Sequence, residues 1–199
     1  MREIDDLLSK VIPYAPNCPE PMAVEHLREA AINLCKATRC WREVESFTTT
    51  GDDIEVMCVP PYASLFQMEW ARFNDRVLEP VSAGPDILTH EDGLPFSYTQ
   101  RTPNSIIIDP PAPGLLTLSM FLMPAPDATD LPEFMFDQFS TALGHGALST
   151  LLLLPNQPFS NPQYAMMFEQ KFQAVLDRNF AFNMQGQQRA RKRTKPNFQ

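Results

Sequence analysis

Leu154-Pro155-Asn156-Gln157-Pro158-Phe159-Ser160-Asn161-Pro162 separates two long segments with apolar faces and divides the last third of the chain. Three prolines in nine residues cannot continue a helix, because each fixes φ and removes an N–H donor. Asn161 is a good N-cap and Pro162 a good first-turn residue, so a new helix is expected to start there. Its stripe would be Tyr164, Phe168, Phe172, Val175, Leu176 and Phe182, fading by Gly186. Before the prolines, Met135, Phe139, Ala142, Leu143, Gly146, Ala147 and Leu151 can share one broad buried face. Asp130 followed by Glu133 predicts a capping-box-like start for that segment.

Beyond the second helix the sequence turns basic. Of sixteen Lys and Arg in the chain, five lie between Arg189 and Lys195, while the formal net charge is −8, so the body is more acidic than the total implies. An acidic body argues against wrapping DNA, which requires neutralised phosphates. A short basic segment is either a solvated end or an interaction arm. In an extended arm Arg189, Arg191, Arg193 and Lys195 would project on one side, since strand side chains alternate.

Toward the N-terminus, Ile4, Leu7, Leu8, Val11 and Ile12 recur at helical spacing until Pro13. A longer helix follows Pro21, with Val24, Leu27, Ala31, Leu34, Cys35, Thr38 and Trp41 as its stripe. From Arg42 the period becomes two, and the turn-like Thr50-Gly51-Asp52-Asp53 predicts a hairpin between residues 42–49 and Ile54–Val59. Phe66, Met68 and Trp70 predict another strand, ended by Asn74-Asp75, against a competing helical reading through Tyr62, Leu65, Phe66, Glu69 and Phe73. Strands are also expected around Tyr98, over Ser105–Asp109 and over Leu115–Met123. The prolines at 110, 111, 113, 124 and 126 should put the last two at sheet edges or end them abruptly.

The predicted class is therefore α+β: a discontinuous bundle of about four helices from both chain ends, a small inserted antiparallel β-sandwich or barrel-like module, and an extended C-terminal arm. The expected divisions are 1–42 and 127–186 for the bundle, 43–126 for the β module and 187–199 for the arm. Twenty prolines against seven glycines imply rigid, extended connections.

Signals for chemistry are few. Gly144-His145-Gly146 offers a histidine, but two glycines in a helix cost about 1 kcal/mol each relative to alanine. Close approach of another backbone would offset that cost, with His145 on the wetter side; the competing reading is a catalytic His145. No G-x-S-x-G elbow surrounds Ser149, and no phosphate-cradling glycine loop exists. His26, His90 and His145 lack zinc-ligand spacing, so neither a metal nor a cofactor is expected. Asp52-Asp53 and Glu91-Asp92 read as solvated turn carboxylates, with weak calcium binding as the alternative. Trp41, Phe47 and Trp70 fall on periodic stripes and read as core before they read as a base-stacking platform. Cys18, Cys35, Cys40 and Cys58 lack metal spacing. Cys35 and Cys40, five apart, would not share a helix face. Met1-Arg2-Glu3-Ile4-Asp5-Asp6 starts polar and acidic, unlike a secretory leader, so the thiols are expected to be reduced and cytosolic. Apolar runs such as Leu151–Leu154 are far too short to span a bilayer.

The run Glu25-His26-Leu27-Arg28-Glu29-Ala30-Ala31-Ile32-Asn33-Leu34-Cys35-Lys36-Ala37-Thr38-Arg39-Cys40-Trp41-Arg42-Glu43 resembles the opening helix of the head-to-tail adaptor (connector) proteins of tailed phages. So do Gly93-Leu94-Pro95 before Tyr98, Pro110-Pro111 after the isoleucines, Leu131-Pro132, Gly146-Ala147-Leu148 with its leucine run, and Pro158-Phe159-Ser160-Asn161-Pro162. The basic segment Arg189–Phe198 is similar to their extended tails. Phe159 departs from the family, which often carries Trp there. The resemblance spans nearly the whole chain in order and implies a non-enzymatic virion protein, made in the host cytoplasm and placed at the head–tail interface. It implies a homo-oligomeric ring, typically a dodecamer, that binds the portal protein above and tail or nozzle proteins below while DNA passes through the channel. It also implies a portal-binding arm, here Arg189, Arg191, Lys192, Arg193, Lys195 and Phe198. The alternative is a nucleic-acid-binding module that uses the same basic segment.

Overall fold

The computed structural model describes residues 1–51, 55–82 and 93–185. In chain order these form β1 (Arg2–Glu3), a 3-10 helix (Ile4–Lys10), α1 (Glu20–Thr38), β2 (Arg42–Thr50), β3 (Val56–Met57) and β4 (Ala63–Phe73). There follow β5 (Arg76–Val77), β6 (Glu79–Pro80), β7 (Ser97–Thr99), β8 (Ser105–Asp109), β9 (Pro113–Pro124), β10 (Asp130–Leu131), α2 (Glu133–Leu151) and α3 (Pro162–Gln185). The protein is mixed α+β, with four helices and mainly antiparallel sheets among the described residues. The described residues divide into two compact units, one from Met1–Cys40 and the described residues after Asp127, the other within Trp41–Asp127.

In the helical unit α2 is the central element. Its sequence is apolar around most of its circumference, which marks a helix enclosed by neighbours. Residues buried along it include Met135, Phe136, Phe139, Leu143, Ala147 and Leu151. α1 covers one side with Leu27, Ala31 and Leu34, the 3-10 helix adds Ile4 and Leu7, and α3 contributes Ala165, Phe168, Phe172 and Leu176. A two-stranded pair, β1 with β10, ties the start of the chain to the approach to α2.

Several local expectations change here. The first helical pattern is a 3-10 helix followed by turns, so Ile4 and Leu7 are buried while Leu8 is half-buried. Asp130 does not cap α2: it pairs in β10, and Pro132 occupies the N-cap without a side-chain bond. α1 ends at Thr38 because Arg39 takes a left-handed conformation, φ 51°, and its N–H closes onto the Cys35 carbonyl at 2.8 Å. Trp41 therefore lies beyond the helix, and on α3 the expected stripe loses Tyr164 to solvent, half exposed.

The β unit is organised by β9, whose alternation is interrupted by a continuous apolar run. β2 and β4 flank it, giving the order β2-β9-β4-β5. The predicted hairpin does not form: β2 pairs in antiparallel register with β9, from Arg42 with Phe121 to Thr50 with Pro113. β3 instead joins β8, in a second sheet of order β3-β8-β7-β6, where β6 and β7 run parallel. Among the described residues neither sheet closes into a barrel, which corrects the barrel-like reading. Both proline-bounded strands, β8 and β9, are central. On β9 the prolines stand at the strand's two ends, Pro113 and Pro124, so they end it without pushing it to an edge.

β4 is a strand, as its alternation predicts, and Asn74 and Asp75 turn it into β5 with φ of 44° and 67°. Register shifts at Leu65/Gln67 and Met68/Trp70 break its alternation, leaving Leu65, Ala71 and Phe73 buried and Phe66, Met68 and Trp70 half-buried. On β2 the inward positions are the odd ones. Thr49 is buried with its hydroxyl donating to the Ala112 carbonyl at 2.7 Å, while Val44 is half exposed.

Candidate functional site

The surface with the most chemistry among the described residues is built around α3, and its placement begins at the proline-rich stretch. That loop is clamped. The Asn161 N–H donates to the Leu152 carbonyl at 2.9 Å, the Ser160 N–H to Gln157 O at 3.0 Å, and Phe159 is buried. Asn161 Oδ1 then accepts the Tyr164 N–H at 3.2 Å, the cap expected from sequence. The start and direction of α3 are thus fixed by backbone and side-chain bonds together.

The two glycines of Gly144-His145-Gly146 seat the neighbours of α2. A Cβ on Gly144 would lie 2.7 Å from Lys10 Cβ, and one on Gly146 would lie 2.9 Å from Ala30 Cβ and 3.0 Å from a Phe172 ring carbon. Close approach therefore explains both glycines. It comes from side-chain atoms, with the Lys10 backbone carbonyl next at 3.5 Å. Contacts this tight are possible only without a side chain, and they draw α1 and α3 against α2.

His145, between them, is half-buried and stacks on Phe168 with ring centroids 5.4 Å apart. Lys171 Nζ lies 5.4 Å from the same ring, and Tyr14 meets it edge-on at 5.1 Å. Burial, and then the Lys171 charge, hold the His145 pKa below its ordinary 6.5, so the ring stays neutral where an unperturbed histidine would begin to charge. Ser149, four residues on, is buried and donates to the Gly146 carbonyl at 2.7 Å, a bond internal to the helix.

Because α3 touches its platform along a single stripe, a groove runs along each flank. One, of about 540 Å³, is lined by His145, Lys171, Arg178, Gln138, Thr141 and Asn179 among others. The other, of about 280 Å³, is bordered by Glu29 and Asn33 of α1 and by Glu169 and Gln173 of α3. His26 stands behind the second groove, its Nδ1 2.7 Å from Thr150 Oγ1 and 3.9 Å from Glu29.

The remaining sequence candidates scatter. Trp41 is buried and stacked parallel to Tyr62 at 6.3 Å, a packing role, while Trp70 carries the Arg72 guanidinium 4.7 Å over its ring. No cluster of three or more metal-ligating side chains occurs among the described residues. No disulfide joins the four cysteines, and burial raises the pKa of Cys18, Cys35 and Cys58, the last to about 11. Cys35 and Cys40 do meet, with sulfurs 4.0 Å apart, because the left-handed turn at Arg39 folds Cys40 back toward the helix. Spacing on a continuous helix could not have revealed that contact. Arg189, Arg191, Lys192, Arg193, Lys195 and Phe198 lie outside the described residues, as do His90, Asp52-Asp53 and Glu91-Asp92.

No described helix is long and apolar enough to cross a membrane. No family model matches the chain, and no curated protein matches it either.

Proposed function

We propose that this chain is a non-enzymatic head-to-tail adaptor of a tailed phage, forming a ring under the portal that joins capsid to tail and lets the genome pass. On this reading the four helices are one discontinuous bundle, the β unit is an inserted sandwich, and the protein resides at the head–tail interface of the virion. The observation that carries it is the design of α3: a helix with a hydrogen-bonded start, held along one stripe, followed in sequence by the cations Arg189–Lys195. Such a helix is suited to present a chain segment to a partner. The sequence resemblance, in order along the chain, supplies the identity of that partner as a portal.

A single cationic segment binds weakly, but a ring presents many at high effective concentration. An acidic body would keep passing DNA from adhering to the channel wall by like-charge repulsion. Deleting residues 187–199 should leave a folded protein, by circular dichroism, that no longer joins portal-bearing capsids. Normal yields of infectious particles from the deletion would overturn the arm assignment.

A further inference from the structure

The two grooves beside α3 carry opposite charge. Met167, Lys171, Ala174 and Arg178 recur at i, i+4, i+7 and i+11, one stripe down one flank of the helix. Lys171 and Arg178 are two turns apart, about 10.5 Å along the axis. No carboxylate is among the described residues lining their groove. The other groove has Glu29 and Glu169 and no Lys or Arg among its described lining residues. Asp177 adds to that side: its Oδ1 accepts from Gln173 Nε2 at 2.9 Å, and Gln173 borders the acidic groove. Glu29, Glu169, Lys171 and Arg178 are all exposed.

We propose that these flanks are the two halves of one joint between copies of this chain, the Lys171–Arg178 flank of one copy taking the Glu29–Glu169 flank of the next. The inference deepens the ring reading and rests on it for the biological setting. Its physical basis is separate. With a net charge of −8 two copies repel on average, so association is favoured where a cationic surface meets an acidic one. A two-fold dimer through either flank would set like charges face to face. Joining one flank to the other removes that conflict and makes a head-to-tail contact, the kind that closes into a ring where the rotation between copies allows it. Exposed Tyr164, Met166 and Met167 border the contact and supply apolar area that charge alone would not. The acidic partner is taken to be a second copy in preference to an unrelated acidic ligand because its complement is present on the same helix, on the opposite flank.

Sedimentation of the full-length protein at low salt tests the joint, with two double variants, Lys171→Glu/Arg178→Glu and Glu29→Lys/Glu169→Lys. The wild type should self-associate, and each variant alone should do so at least tenfold more weakly. An equimolar mixture of the two should recover association, because one carries acid on both flanks and the other carries cations on both. If reversal disturbs folding, the neutral pairs K171Q/R178Q and E29Q/E169Q should still weaken association several-fold. A wild type that stays monomeric at its highest soluble concentration, variants that associate normally, or a mixture without rescue would each overturn the proposal. Loss of DNA binding as the only effect of K171E/R178E would do so too, and would assign that flank to phosphate. Rings that persist in both variants sink the joint while leaving the adaptor reading intact. Particles lacking this chain at the collar sink the adaptor reading whatever the joint does.

Discussion

The helical and β units reach a buried core by different means. In the helical unit the decisive contacts are close approaches: Gly144 admits Lys10, and Gly146 admits Ala30 and Phe172. In the β unit the decisive element is one strand, β9, which pairs along most of its length with β2 on one side and β4 on the other. The first design concentrates its tolerance limits at two positions lacking side chains. The second spreads its dependence over the buried residues of a strand, Leu116, Leu118, Met120 and Leu122. The difference also shows at the surface, where the narrow seating of α3 leaves two charged grooves open.

Two substitutions tell the designs apart. Leu118→Ala should cost about 2–5 kcal/mol, the range for truncating a fully buried leucine. Gly146→Val should cost about 1–3 kcal/mol, toward the upper end, because the added carbons would meet Ala30 Cβ, which cannot turn aside, as well as the Phe172 ring. Urea unfolding gives both magnitudes, and amide exchange locates them. The first change should expose β2, β4 and β9, and the second α1, α2 and α3. Loss of protection spread equally over both units by either change would contradict the contrast.

A smaller effect sharpens the account of the α3 surface. The folded pKa of His145 is depressed, so the unfolded chain takes up its proton at higher pH than the folded one. Its contribution to stability is complete above the ordinary 6.5 and is lost as pH falls through the lowered folded value. His145→Gln should flatten that part of the stability–pH profile, measured by thermal unfolding. An unchanged profile would mean that the ring is not held neutral by its site.

Much of the helical unit was legible in the sequence because its signals are local. The Asn161-Pro162 start, the buried face of α2 and the requirement for close approach at the two glycines all follow from residues a few positions apart. The strand at β4 was readable with its Asn74-Asp75 turn for the same reason. What failed was nonlocal. The partner of β2 lies some seventy residues on, in β9, and a turn-like Thr50-Gly51 suggested a nearer one. Proline was also misleading on β8 and β9, since a ring at a strand terminus excludes no ladder bond from the strand's interior. The α3 grooves were half visible: Lys171 and Arg178 have a readable seven-residue spacing, but Glu29 joins Glu169 only through the packing of α1 against α3. The cations of residues 189–195 carry the functional reading from sequence alone.

The most direct test of the adaptor account is electron microscopy of intact particles at a resolution that traces individual chains. The account predicts a ring of this protein between portal and tail, with Arg189–Lys195 of each copy against the portal. A chain found elsewhere in the particle, or no copies in it at all, would contradict it.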